Sequence, residues 1–252
     1  MAIKLVISGC CGRMGRSIAS LALQDSVFAI GAALEAAGHE AVGRDLGTVL
    51  GRAASVGVRI SDDAKGAISQ GDVLIEFTAP DVTTAHTQLA RQLRKPMVIG
   101  TTGLTETQQE AIRQAAKTIP IVLSPNMSVG VNLLFELARL AAQRLGTAYD
   151  VEVVEAHHRQ KKDAPSGTAK RLADVLAAAR GQASGSIPVH AVRAGDIVGD
   201  HTVILAGPAE RLELTHRAHS REVFAQGALR AARFIAAQPP GLYDMSHVLN
   251  VA

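Results

Sequence analysis

The residues that most restrict the fold lie at the amino end. An apolar run from Ile3 to Ser8 passes into GCCGRMG, Gly9 to Gly15, and a helical pattern spans Arg13 to Gln24. A buried strand that turns through glycines into a helix opens a βαβ unit, so the next strand is expected to run parallel to the first. Glycines at 9, 12 and 15 permit a tight turn, close approach of backbone to a pyrophosphate, and close packing of helix on strand. The spacing is G-x-x-G-x-x-G, one residue longer between its first two glycines than the commonest dinucleotide fingerprint. Val27 to Glu35 reads as the second strand. Glu35 follows Gly15 by 20 residues, where an acidic side chain accepts hydrogen bonds from an adenine ribose. No arginine or lysine stands beside Glu35, so a 2′-phosphate there would meet a carboxylate, with only Arg13 of the loop in reach. NADH is therefore expected to serve at least as well as NADPH.

The alternation continues, with strands expected at Val73 to Phe77, Pro96 to Gly100 and Ile119 to Leu123. Thr105 to Lys117 reads as a helix with Thr105 as N-cap and Gln108 three residues on, the pairing of a capping box. GTTG, Gly100 to Gly103, and SPN, Ser124 to Asn126, follow strands and so fall where open parallel sheets bind ligands. From Ser128 the period changes. Val131, Leu134, Phe135, Ala138, Ala141, Ala142 and Leu145 describe a helix of about five turns, and a second domain is expected to begin near here. It holds strands at Tyr149 to Glu155, Val189 to Arg193 and Thr202 to Leu205, and a helix from Thr168 to Arg180. Beyond Glu210, RLELTHR reads as a strand leading to a helix near Arg221 to Ala237, and Gly241 to Asn250 closes the chain.

Composition excludes several classes. With 47% hydrophobic and 19% charged residues, no tryptophan and seven other aromatics among 252 residues, the chain reads as globular with an aliphatic core. A net charge of +3 without a long basic tract or aromatic platform disfavours nucleic acid. Cys10 and Cys11, the only cysteines, cannot build a disulfide framework and have no partners at metal-ligand spacing, so no metal is expected and a reduced cytoplasm fits. Neither a secretion leader nor a membrane span is expected.

The chemistry-bearing stretch is EAHHRQKKDAPSG, Glu155 to Gly167, with two histidines, an arginine and two lysines in six consecutive positions. It leaves an apolar strand and enters a Ser-Gly-Thr turn that opens a helix. A helix amino terminus presents unpaired N–H groups and partial positive charge, so Ser166, Gly167 and Thr168 suit a carboxylate or phosphate, with proton-transfer groups nearby. Alternatively, the cations form a solvated loop paired with Glu155 and Asp163. His190, His201, His216, His219 and His247 are scattered and read as structural or exposed, and Ser166 reads as the cap of its helix.

Taken in order, GCCGRMG, GAALE, VIGTTG, SPNMSVGVN, EAHHRQKKDAPSGTA, VRAGDIVGDHT and THRAHSREVFAQGA resemble the 4-hydroxy-tetrahydrodipicolinate reductase family, from Ile3 to about Leu249. The resemblance implies an α/β fold: a Rossmann-like dinucleotide-binding domain, residues 1–126 with 219–252, and a smaller α+β domain on a mixed sheet, residues 127–218. The smaller domain would bind a cyclic dicarboxylate and assemble a homotetramer. The resemblance also implies reduction of that substrate with NADH or NADPH in the diaminopimelate route to lysine, with His157 as acid/base, Lys161 as proton donor, and His158, Ser166, Gly167 and Thr168 as substrate contacts. Gly9, Cys10, Cys11, Gly12, Arg13, Met14, Glu35, Gly100, Thr101, Thr102, Ser124, Pro125, Asn126 and Met127 match its cofactor-contacting stretches. Three departures stand out: Ala36 replaces the usual basic residue after the strand-two acid, Cys10 and Cys11 stand at positions more often small, and the stretch between Arg180 and Val189 is short. Another two-domain dehydrogenase of aspartate or sugar type, suggested by Lys95-Pro96, leaves the histidine-rich segment unexplained. A non-catalytic nicotinamide sensor would not need both His157 and Lys161.

Overall fold

The computed structural model describes residues 1–251, which form two compact units: Met1–Met127 with Phe224–Asn250, and Ser128–Val223. In chain order the elements are β1 (Ile3–Ser8), α1 (Arg13–Ala22), β2 (Phe28–Leu34), α2 (Leu46–Val49), β3 (Ile60–Ser61), α3 (Ala64–Ser69), β4 (Val73–Glu76), α4 (Pro80–Leu93), β5 (Met97–Ile99), α5 (Glu106–Ala116) and β6 (Pro120–Leu123). Next come α6 (Val129–Leu145), β7 (Asp150–His157), α7 (Gly167–Ala179), β8 (Val189–Arg193), β9 (Asp200–Ala206) and β10 (Arg211–Arg217). The chain then returns to the first unit with α8 (Glu222–Ile235), β11 (Gly241–Tyr243) and α9 (Met245–Leu249).

The first unit is a seven-stranded parallel sheet in the order β11-β6-β5-β4-β1-β2-β3, a Rossmann-like arrangement. Its central strands are buried along nearly their whole length, as parallel strands covered on both faces must be. Val6, Leu34, Leu74, Met97, Ile99, Ile112 and Ile121 belong to one aliphatic core. The strand order reverses between β1 and β4, so the crevice beyond their carboxyl ends is the ligand position of this architecture. The capping box expected of Thr105 and Gln108 forms at α5.

The second unit is a four-stranded mixed sheet in the order β10-β9-β7-β8, with β7 and β8 parallel and the other pairs antiparallel. Helices α6 and α7 supply Leu134, Ala138, Leu172 and Leu176 to a core shared with Val151, Val153, Val203 and Leu205 from the sheet. Ser128 caps α6 through the N–H of Val131, and Ser166 caps α7 through that of Ala169. No helix among the described residues is long and apolar enough to cross a membrane.

The sequence pattern does not reveal α2, β3, α3 or α4. Helix α4 is the instructive case, because it buries Thr83, His86 and Thr87 alongside the apolar Ala90. The three polar side chains belong to a polar network under the sheet's carboxyl edge. His86 Nδ1 lies 2.7 Å from Glu76, which is fully buried, and Thr83 and Thr101 hydroxyls lie 2.7 Å apart.

Candidate active site

In the first unit the glycine loop closes over the end of β1. Gly9 adopts φ +68°, the left-handed region open to glycine, and its N–H donates to Leu34 O at 2.9 Å. A Cβ at Gly15 would collide with the Gly9 carbonyl, so helix α1 packs on its strand only with glycine there. Gly12 and Arg13 are exposed and Met14 half-buried, which leaves the loop backbone uncovered. Glu35, just past β2, accepts the N–H of Cys11 at 2.9 Å on one oxygen and that of Ala36 at 3.0 Å on the other. A carboxylate offers about four lone-pair positions, so this acid both braces the loop and keeps acceptors for two hydroxyls. Arg16, which the sequence reading did not single out, ties the loop from outside through Cys11 O at 2.8 Å.

The remaining predicted cofactor residues divide by burial. Gly100 packs against the Phe77 ring, Thr101 is buried with its hydroxyl accepting the Thr78 N–H at 3.2 Å, and Thr102 is exposed. The buried Ser124 hydroxyl donates to Asn126 O at 2.8 Å, Pro125 is exposed, and Met127 is buried with its backbone against Gly227 of α8. Cys10 is likewise buried, so it offers a ligand its backbone alone. The sulfurs of Cys10 and Cys11 and a Glu35 oxygen lie within 4.8 Å of one another, a grouping hidden in the sequence because Glu35 arrives from another strand. Burial first, then the adjacent thiol, pushes the Cys10 thiol far up.

In the second unit β7 carries Glu155 and His157 on one face, the period of a strand placing them side by side. Glu155 is fully buried. One carboxylate oxygen accepts from Ser166 N at 3.0 Å and Arg193 Nη2 at 2.7 Å; the other accepts from Arg193 Nη1 at 2.8 Å and His157 Nδ1 at 2.5 Å. Burial by itself would raise this carboxyl, but those donors outweigh it and bring it down to about 2. Lys161 pairs with Asp163 at 2.9 Å, and its N–H closes a turn onto His158 O at 3.0 Å. The Nδ1 of His158 is buried without a hydrogen-bond partner among the described residues. Gly167, the first residue of α7, is exposed, and a Cβ there would meet nothing within 4 Å.

Two histidines that looked scattered in the sequence stand in this site. His201 of β9 is buried with its ring edge-on to His157 at 5.2 Å between centroids, and half-buried His216 of β10 follows at 6.4 Å. Antiparallel pairing places His201 opposite both Glu155 and His216, which no linear spacing reveals. His190, His219 and His247 are exposed, as read. Burial first, then the nearby His157 and His216, pushes His201 down to about 4 from 6.5. A histidine depressed in the folded state binds its proton more readily when unfolded. Its stabilising contribution is therefore complete above pH 6.5 and is lost as pH falls through 4. The urea midpoint is expected to fall between those values, and His201→Gln to flatten that part of the curve; an unchanged slope in the variant would count against this assignment.

Comparison with known proteins agrees across the chain. Residues 3–127 match the family model for the dihydrodipicolinate reductase N-terminus, and residues 130–249 that for its C-terminus. The 4-hydroxy-tetrahydrodipicolinate reductase of Ralstonia nicotianae is 45% identical over 99% of this chain and 100% of its own length. That of Anaeromyxobacter dehalogenans is 44% identical, with 98% of each chain covered. Among solved structures, a dipicolinate-bound dihydrodipicolinate reductase from Paenisporosarcina sp. TG-14 superposes with a TM-score of 0.82 at 27% identity, covering 97% of this chain and 98% of that one. An amine dehydrogenase from Mycobacterium smegmatis, at 15% identity and a TM-score of 0.65, shares the fold alone. With both family models matched in sequence order and the relatives covered end to end, this chain belongs to the dihydrodipicolinate reductase family.

Proposed function

We infer that this chain reduces 4-hydroxy-tetrahydrodipicolinate to tetrahydrodipicolinate with a reduced nicotinamide dinucleotide, the step that family membership assigns to the diaminopimelate route to lysine. The observation that carries the chemistry is the second unit's pairing of a buried acid/base histidine, His157, with the open amino terminus of α7. Glycine at 167 is required neither by a positive φ nor by local packing, which fits a position kept clear for a ligand carboxylate. The Lys161 ammonium provides a further donor for a dicarboxylate.

The loop from Gly9 to Met14 suits a dinucleotide, since its backbone is uncovered and Glu35 has acceptors left for ribose hydroxyls. Gly100 to Thr102 and Ser124 to Met127 complete our assignment of that site. When bound, the cofactor supplies the hydride. The substrate's 4-hydroxyl leaves as water, the conjugated imine so formed takes up the hydride, and one proton balances it. His157 and Lys161 are placed to move that proton, while the cations and the α7 amides hold the ring. Assembly into a homotetramer through the second unit and residence in the cytoplasm complete the reading.

The direct test generates the substrate in place from pyruvate and aspartate semialdehyde with the synthase and follows loss of reduced-nicotinamide absorbance. Oxidation is expected with both cofactors, and none with either would overturn the reading. Because Ala36 follows Glu35, the efficiency with NADH should equal or exceed that with NADPH. A strong NADPH preference would show that Arg13 or another cation neutralises the 2′-phosphate.

A further inference from the structure

We propose that Glu155 is the positioning residue of this site: one buried carboxylate that fixes the ring of His157 and, through Ser166, fastens the ligand-binding end of α7 to it. The proposal rests on the reading of His157 as the acid/base group.

The geometry leaves Glu155 little freedom. Its four hydrogen bonds fill the acceptor capacity of a carboxylate, two at each oxygen. An ionised carboxylate can only accept, so the hydrogen on His157 must sit on Nδ1, and Nε2 becomes the nitrogen that gives or takes a proton. A methyl group at Gly199 would come within 3.1 Å of that nitrogen. Arg193 is the counter-ion, and its second role links the loop. Nη2 donates to Asp163 O at 2.6 Å as well as to Glu155, so the backbone just after Lys161 and Lys162 is tied to the same pair. The proton-transfer histidine, the lysine loop and the helix terminus thus converge on one ion pair.

Other charges around His157 do not compete for this role. His201 faces it from β9, with His216 of β10 behind, and Lys161 and Asp163 pair with each other in the following loop. At the start of α7, the N–H of Ser166 serves Glu155 and its hydroxyl caps the helix. Nδ1 of His157 is thus directed at the Glu155 carboxylate, 2.5 Å away.

The test reads the tautomer directly. In 15N-histidine-labelled wild type at pH 8, His157 signals are assigned by their loss in His157→Gln. Nδ1 is expected to carry the hydrogen and Nε2 to be bare. In Glu155→Gln the ring should shift toward the Nε2–H form, with kcat down by roughly 100-fold or more and NADH affinity within about threefold of wild type. Wild-type His157 in the Nε2–H form would overturn the proposal, as would Glu155→Gln with wild-type tautomer and turnover. The wild-type spectrum decides the point even where Glu155→Gln fails to fold. Undiminished turnover in His157→Gln would instead sink the acid/base reading, leaving the tautomer result to judge Glu155 on its own.

Discussion

Replacing His157 by glutamine, or Lys161 by methionine, is expected to lower kcat by roughly 100-fold to 10,000-fold, the ordinary contribution of general acid–base catalysis, while NADH still binds. The two should differ in KM. His157 is 9% exposed and spends Nδ1 on Glu155, so its loss removes a proton route and little ground-state binding. Lys161 is more exposed and presents a charge that a dicarboxylate would feel, so its loss should raise KM as well. Steady-state kinetics with fluorescence titration of NADH separate these outcomes. Wild-type turnover in both variants would remove the pair from the mechanism.

The largest effect on stability is expected at Arg193. Arg193→Met leaves Glu155 buried and charged without its counter-ion, and breaking a buried pair from one side costs about 3–5 kcal/mol. A typical domain has only about 5–15 kcal/mol in total, so the variant should lose a large part of its urea resistance. The double variant Glu155→Met with Arg193→Met removes both charges and should recover much of that loss, since an apolar pair needs no desolvated ion. Activity should not return with it, because His157 and Ser166 lose their acceptor. Equal destabilisation of single and double variants would mean that the pair stabilises through its hydrogen bonds to the backbone rather than through charge neutralisation.

The parts legible in the sequence are those whose signal is local. The limits of β1, β8 and β10 could be read off because turn residues flank each run, and the α5 capping box because its two members are three residues apart. Helix α4 escaped because its inward face carries threonines and a histidine satisfied by Glu76 and Thr101, an arrangement no apolar period reports. Strand β3 has two residues and too little pattern to read. The same division holds for the site. His157, Lys161 and the Ser166 turn lie in one stretch, whereas Arg193 and His201 arrive through sheet register, Arg193 being the β8 partner of His157. A short motif thus holds the groups proposed to react but not the ion pair that fixes them.

The return of the chain to the first unit bears on how the protein is made. Strand β6 is finished at Leu123, but β11, which covers its outer edge, begins only at Gly241. A ribosome adds about 5–20 residues per second, so the nascent sheet keeps an open, apolar edge of sequence Pro-Ile-Val-Leu for on the order of ten seconds. An unpaired edge of that kind is a template for wrong partners. The whole second unit is synthesised during this interval, so that edge stays unpaired until the last strand emerges.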